Sequence, residues 1–349
     1  MKNYSIQYLV IVLTLMLMGC SATNQLRLSV VEPAPVFIPN DVKKVGIINR
    51  SLPSKGKKAI DRIEQILTAE GLYLDLQGSE TAITALRDQL IREQRFDKVI
   101  VIDSLTHEKS GLGVLPASLS WEAVDALCTT HGVDVLFSLE YFDTDTAIDY
   151  QLTTMKLPNT IGIVVDVPAH QATLNTVLNN GWRIYDPYHK DVLDEYLASR
   201  HIVSVGKGIN PIKAVEAVLG RKEAVLQEST YLGSQYAMRI FPYKNRVTRN
   251  YFVRGSTNFE MAKRRAQTGD WDGAALLWQK ELSNKNAKIA GRANYNMAIS
   301  HEINGDLDKA MVWASKSYTD YKNKEALRYL QILKYRASQN EELQYQVKR

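Results

Sequence analysis

The side chains that could carry chemistry are few, and most are scattered. Six histidines occur, His107, His131, His170, His189, His201 and His301. None sits in H-E-x-x-H or another compact ligand pattern, so the sequence offers no metal set and implies no cofactor. Asp186, His189 and Asp191 share a turn rich in Tyr, His and Asp, which reads as a ligand rim or, more plainly, as a solvated hairpin end. Cys128 stands three residues before His131, within reach on a helix. It also continues the apolar stripe Trp121, Val124, Leu127, where a small buried hydrophobe is the simpler reading. Gly206-Lys207-Gly208 places two glycines around a lysine but lacks the remaining P-loop spacing, and turn glycines account for it. Asp143 and Asp145 follow a strand, where α/β proteins collect acids, or belong to a polar loop. No G-x-S-x-G is present. These residues do not converge on a reaction, and a non-enzymatic protein is expected, with a hydrolase kept as an alternative.

A second kind of chemistry is ionic. Arg239, Phe241, Tyr243, Lys244, Arg246, Arg249, Tyr251, Phe252 and Arg254 interleave cations and rings. Such a strip can bind an anionic ligand, and Arg246, Arg249 and Arg254 are its candidate residues. The alternative is a junction between modules. From Arg239 onward there are 21 Lys+Arg against 11 Asp+Glu, a net +10, whereas the rest of the chain has 22 against 27, a net −5. The basic C-terminal region suits an acidic partner, an anionic lipid surface or the chain's own acidic N-terminal domain. No nucleic-acid reader motif accompanies it, and nucleic acid is not expected as a partner.

The third is covalent. After a basic start, Leu9 to Met18 is an apolar run of signal-peptide size, shorter than a membrane span. Leu17-Met18-Gly19-Cys20 follows and resembles a bacterial lipobox. On that resemblance residues 1–19 are a signal peptide and the Cys20 thiol is acylated, anchoring the chain in a membrane through its acyl chains. Ser21 in place of Asp implies the outer membrane, with a periplasm-facing chain. With Cys20 modified, Cys128 has no partner, so the fold does not rely on disulfides.

The elements that must position these residues divide into two kinds. Residues 20–41 contain Pro33, Pro35 and Pro39 and read as an extended tether. From 42 to 238 the pattern is α/β, a mixed sheet with covering helices. Val42–Ile48, Lys98–Ile102 and Val133–Tyr141 read as strands. Helical spacing appears over 59–67, 81–94 and 121–130, with Ser120 as an N-cap, and Gly111-Leu112-Gly113 is a loop. Beyond Phe142, strand-like stretches 161–167, 171–178, 182–185 and 192–205 suggest added hairpins, with Asn179-Asn180-Gly181 as a turn. Helices are expected at 211–219 and 222–238. Residues 42–142 resemble the sheet domain of periplasmic lipoproteins that assist secretion or activate cell-wall synthases. A closer resemblance rests on Gly181-Trp182-Arg183-Ile184-Tyr185-Asp186-Pro187, Arg239-Ile240-Phe241-Pro242 and Arg249-Asn250-Tyr251-Phe252-Val253-Arg254-Gly255. It is to an uncharacterised Gram-negative lipoprotein family with a C-terminal tetratricopeptide-like region, and it implies architecture and address only.

After a junction at 239–255, residues 256–337 hold two similar units and a further helix, followed by a tail at 338–349. Gly269-Asp270-Trp271-Asp272 and Gly305-Asp306-Leu307-Asp308 recur at a period of 36 residues, close to that of tetratricopeptide repeats. Ala262 and Ala274, then Ala298 and Ala310, would let paired helices approach. The spacing places Phe259, Lys263, Arg292, Tyr295 and Asn296 on a concave face, where a protein partner from the envelope would dock. Arg265 and His301 depart from the repeat pattern, and the usual proline is missing. The expectation is a scaffold or accessory protein, with a binder of envelope glycan or anionic lipid as the alternative.

Overall fold

The structure, a computed structural model, describes residues 22–51, 62–102, 115–218 and 220–348. Cys20, the signal-peptide run, His107 and the Gly111-Leu112-Gly113 stretch lie outside the described residues. The chain divides into two units, one of Ala34–Phe241 and one in which the N-terminal segment to Pro33 joins Pro242–Lys348. Each is described in turn.

The α/β unit is built on a five-stranded sheet of order β3-β2-β4-β5-β6. These are β2 (Lys44–Asn49), β3 (Lys98–Val101), β4 (Val135–Pro158), β5 (Val164–Asp186) and β6 (Asp191–Gly208). Strand β2 is parallel to β3 and to β4, while β4, β5 and β6 run antiparallel. Val45, Ile47 and Ile48 are fully buried, as a parallel strand covered on both faces requires. Helices α1 (Arg62–Arg92) and α4 (Arg221–Met238) cover one face. Leu86, Leu90, Phe137, Trp182 and Tyr236 share that core. Helix α2 (Trp121–His131) covers the other, with Val124, Leu127 and Cys128 against Ile48, Leu136 and Tyr185. Ser120 caps α2 by accepting from the Ala123 N–H at 3.3 Å. Helix α3 (Pro211–Glu216) lies over Ala172 and Leu174 of β5.

Three sequence expectations change here. The helices expected at 59–67 and 81–94 fall, over the described residues, in one helix, α1, which runs unbroken from Arg62 to Arg92, with 59–61 outside the described residues. The separate strand stretches 171–178 and 182–185, with 164–167, are one strand, β5, which begins at Val164 after a turn over 161–163, so Asn179-Asn180-Gly181 is not a turn. It pairs on one side with Phe142 and its neighbours and on the other with Leu197 to Ser199. Gly206-Lys207-Gly208 is not a turn either but the end of β6. A Cβ on Gly206 would lie 2.2 Å from the Ala214 carbonyl oxygen, and one on Gly208 2.4 Å from the Ala214 nitrogen. These glycines let the α3 backbone approach the sheet, and no phosphate need be invoked.

The second unit joins a β-ribbon to a helical stack. The expected tether is instead strand β1 (Thr23–Glu32), paired antiparallel with β7 (Tyr243–Phe252) across the whole of both. The expected junction is thus a strand. Leu26 and Val30 alternate inward, and the partner strand lies more than two hundred residues away, which is why no local pattern announced the pair. Beyond it, Val36 and Ile38 are buried in the α/β core.

Helices α5 (Thr257–Gln267) and α6 (Trp271–Gln279) form one pair, α7 (Ala287–Ile303) and α8 (Leu307–Thr319) a second. Helix α9 (Lys324–Lys348) packs on α8 and absorbs the expected tail. The recurring Gly-Asp-x-Asp has a direct explanation. Gly269 and Gly305 take φ of 86° and 78°, left-handed values that suit glycine at a helix end. Asp270 and Asp306 then cap the next helix, accepting from the Gly273 and Lys309 N–H groups at 2.8 and 3.0 Å. Asp272 and Asp308 add negative charge to its first turn, where the helix dipole favours it. Ala262, Ala274, Ala298 and Ala310 are fully buried at the helix contacts.

Candidate functional site

The concave face expected to receive a partner is occupied from within. Asn296 donates to the Phe252 carbonyl at 2.7 Å and accepts from its N–H at 2.8 Å, holding β7 as it would hold an extended peptide. Phe259 and Asn296 are fully buried, and Tyr295 is buried against the Phe252 and Tyr329 rings. These three are core residues, so their assignment to a partner-binding face is corrected: the strand supplied by the chain itself fills the place. Lys263 and Arg292 remain half-buried. Arg292 donates to the Arg254 carbonyl at 2.7 Å and lies over the Phe252 ring, 5.0 Å from its centroid.

Arg249 is likewise withdrawn from the anion-binding set. It is buried and bound to Glu302 through Nε and Nη2 at about 3.0 Å. Glu302 also accepts from the Tyr329 hydroxyl and from Arg336. Burial first, then the Glu302 charge, pushes the Tyr329 hydroxyl well above its ordinary range, so it stays protonated as a donor. One carboxylate thus gathers β7, α7 and α9.

Arg246 and Arg254 are exposed. Ribbon alternation places Arg246 with Lys244, Thr248 and Asn250 on the outer face of β7. Gln25, Arg27, Ser29 and Val31 face outward from β1. Ser29 pairs with Arg246 and Val31 with Lys244, so Arg27 is one diagonal step from Arg246. This face carries three cations and no carboxylate. Arg27 does not stand out in the sequence as a cation of this face, because its segment reads as a tether. The alternation Leu26, Leu28, Val30 was the signal that could have found it.

In the α/β unit, a cavity of about 560 Å³ is lined by Asp41, Lys44, Asp125, Cys128, Asp134, Asp186 and His189, among others. Asp186 is buried and accepts the His189 ring Nδ1 at 2.7 Å together with the Tyr188 N–H at 2.9 Å. Asp134 accepts the Lys43 and Lys44 N–H groups, each at 2.8 Å. The turn expected as a solvated hairpin end therefore borders a cavity, and Cys128 shares it. Burial, then Asp125, Asp134 and Asp186, pushes the Cys128 thiol up to about 12, which works against a thiolate nucleophile. Asp143, half-buried, and Asp145, exposed, sit on the open face of the sheet, away from this cavity's lining. Among the described residues no group of three or more His, Cys, Asp or Glu side chains is placed to hold a metal ion.

At the carboxyl end of β2 lies a buried ionic cluster that sequence reasoning missed. Glu140, at a bulge in β4, is fully buried. It pairs with Arg50 and accepts from the Tyr185 hydroxyl at 2.6 Å, with Arg183 3.8 Å away. Arg183 also donates to the Pro116 carbonyl at 2.7 Å and pairs with Glu195. Arg183 and Tyr185 belong to the motif Gly181 to Pro187, which is thus accounted for by its role in holding the sheet to the segment before α2.

The architecture is a mixed α/β unit followed by a helical region. Residues 42–252 match the family described as Domain of unknown function (DUF8603). That match spans more than half of the chain, and the chain belongs to this family. Residues 260–336 match a second, Domain of unknown function (DUF6340). A search of curated proteins found no match. Among solved structures, a PelC dodecamer from Paraburkholderia phytofirmans is similar at 10% identity over 62% of this chain and 98% of that one, with a TM-score of 0.27. The hypothetical protein CT253 from Chlamydia trachomatis is similar at 12% identity over 56% and 98%, with a TM-score of 0.22.

Proposed function

We propose that the protein is a lipid-anchored accessory protein of the cell envelope, without catalysis of its own, whose tetratricopeptide-like unit docks an acidic protein partner. The anchor is the acylated Cys20, and the address is the outer membrane, facing the periplasm. The observation that carries the docking reading is the outer face of the β1–β7 ribbon. Arg27, Lys244 and Arg246 stand together there without a carboxylate, and Lys244 and Arg246 belong to the segment from Arg239 onward that carries a net +10. Like charges held side by side on a ribbon oppose one another, and an acidic partner relieves that cost while steering its own approach. Docking on this face also agrees with a concave surface already filled by β7.

Crosslinking in intact membranes followed by mass spectrometry tests the reading. A photoreactive side chain at Thr248 should capture a protein, and Arg27→Glu with Arg246→Glu should abolish the capture. Unchanged capture in that variant would remove this face from consideration. A second reading, an envelope glycan or anionic lipid on the same three cations, is separated by co-sedimentation with phosphatidylglycerol vesicles. Globomycin should block processing at Cys20, and processing that continues unaltered would sink the anchor.

A further inference from the structure

Only Ser21 stands between Cys20 and a residue that the fold holds fast. The Val253 N–H donates to the Ala22 carbonyl at 3.0 Å, and the next residue, Thr23, pairs with Phe252. Ala22 is therefore fixed to β7. Strand β7 is in turn fixed to α7 by Asn296, which bonds both polar groups of the Phe252 backbone. Cys20 lies two peptide units from Ala22, a reach of at most about 7.6 Å. An acyl group on Cys20 has no long tether behind it. It brings this end of the helical unit to the membrane surface.

That end is basic. Paired helices bring the segments 253–256, 280–286 and 320–323 together. Ser256 donates to Glu281 at 2.8 Å, the Tyr321 hydroxyl to the Leu282 carbonyl at 3.2 Å, and Arg292 to the Arg254 carbonyl at 2.7 Å. Arg254, Lys280, Lys285, Lys288, Lys322 and Lys324 are exposed in or beside these segments. The carboxylates there are fewer or engaged. Glu281 is buried and bound by Ser256, Asn258 and Asn284. Glu325 pairs with Arg328 at 2.6 Å, and Glu260 and Asp320 are exposed. The opposite end holds the two Gly-Asp turns, with Asp270, Asp272, Asp306 and Asp308, and Asn304 of one turn donates to Asp272 of the other at 3.5 Å. Helix α7, 17 residues long, separates the two ends by about 25 Å. The unit thus carries its cations beside Cys20 and its acids far from it.

From this we infer that the basic end of the helical unit seats on the headgroups of anionic phospholipids beside the acylated Cys20, which fixes the unit's orientation on the bilayer. The inference rests on the membrane anchor proposed above. The occupant is lipid because the anchor sets the bilayer within about 7.6 Å of Ala22, and each cation held near an anionic surface adds about fivefold to partitioning. Arg27, the first cation of the ribbon's outer face, is five residues beyond Ala22, about 17 Å along β1. That exceeds the screening length of about 8 Å, so the two basic surfaces serve different partners.

The test uses the full acylated chain carrying Cys128→Ala. It is placed on vesicles of phosphatidylethanolamine with either phosphatidylglycerol or phosphatidylcholine, each holding a headgroup-nitroxide lipid. A fluorophore sits on Ser283→Cys at the basic end or on Gln267→Cys at the other, both exposed positions. Seating predicts quenching at Ser283 about threefold or more over Gln267 on the anionic vesicles. The ratio should fall towards equality when Lys285, Lys288 and Lys322 are each changed to Gln. Equal quenching at the two positions while the chain floats with the vesicles overturns the inference. So does a ratio that is the same on the phosphatidylcholine vesicles, because the anchor alone then sets the orientation. A chain that does not float refutes the anchor instead. The basic end is then judged by co-sedimentation with phosphatidylglycerol vesicles. The triple Gln variant should need about a hundredfold more lipid, three cations at about fivefold each, and unchanged partitioning overturns the inference.

Discussion

Removing the Glu302 carboxylate should unfasten the helical unit from its own strand. Glu302 is buried and takes Arg249 through two nitrogens, with the Tyr329 hydroxyl and Arg336 completing its shell. In Glu302→Ala the Arg249 guanidinium keeps its buried position without a counter-charge, and Tyr329 loses its acceptor. Breaking a buried pair from one side costs about 3–5 kcal/mol. For a unit of this size that lowers Tm by roughly 12–20 °C, at about 4 °C per kcal/mol. Arg336 is partly exposed, so Arg336→Ala, which leaves the buried pair whole, should cost only about 1 kcal/mol. Arg249→Met together with Glu302→Leu should recover much of the loss, because the buried guanidinium is then gone and the remaining cation, Arg336, is partly exposed. Calorimetry of the full chain, with hydrogen exchange followed at the Tyr251, Phe252 and Val253 amides, reads both effects. A fall in Tm of under about 3 °C for Glu302→Ala would refute the reasoning, since so small a cost means that Arg249 finds water or another anion at no penalty.

Asp75 is buried and accepts from the Thr144 N–H and hydroxyl at 2.8 and 2.6 Å, yet burial pushes its carboxyl up to about 7. Its folded value thus exceeds its unfolded one, so the stability it contributes is full at low pH and is lost as pH rises from about 4 to 7. Thermal scans across that range should show Asp75→Asn with a flatter slope and a higher Tm at pH 8; a parallel slope would contradict this. Gly233→Ala would set a Cβ 2.1 Å from the Ala82 carbonyl, forcing α4 from α1 at a cost of about 1–3 kcal/mol or more, measurable by urea denaturation. Cys128, buried and with its thiol held near 12, should resist N-ethylmaleimide at pH 8 in the folded chain and react promptly in urea; rapid labelling of the folded chain would revive a nucleophilic role.

What was legible in the sequence tracks where its physical cause is local. The Gly-Asp-x-Asp turns, the Ser120 cap and the buried alanines of the helix pairs each depend on residues within a few positions of one another. Val45 to Ile48 announce a covered strand by being apolar throughout. The misreadings share the opposite trait. Strand β1 owes its form to β7, far along the chain, so its polar start and the prolines that follow it read as a tether. The β4 arm, with Gln151, Thr153, Thr154 and Lys156, lacks a core-facing pattern because little covers it. Asn179-Asn180-Gly181 has turn chemistry but lies mid-strand, paired on both sides. The candidate partner residues Phe259, Tyr295 and Asn296 are buried in the core of the helical unit, where Asn296 bonds to Phe252 of β7 and Tyr295 packs against its ring. Arg249 reads as an anion site because its counter-ion, Glu302, is on helix α7, 53 residues away.

The outer face of the ribbon, with Arg27, Lys244 and Arg246, is the proposed docking surface. Its most direct measurement is in-membrane photo-crosslinking from Thr248 on that face, compared with Arg27→Glu/Arg246→Glu in the same chain. Docking there gives a protein adduct at Thr248 that disappears with the charge reversal; an adduct that survives it, or no adduct from that face at all, would rule the face out.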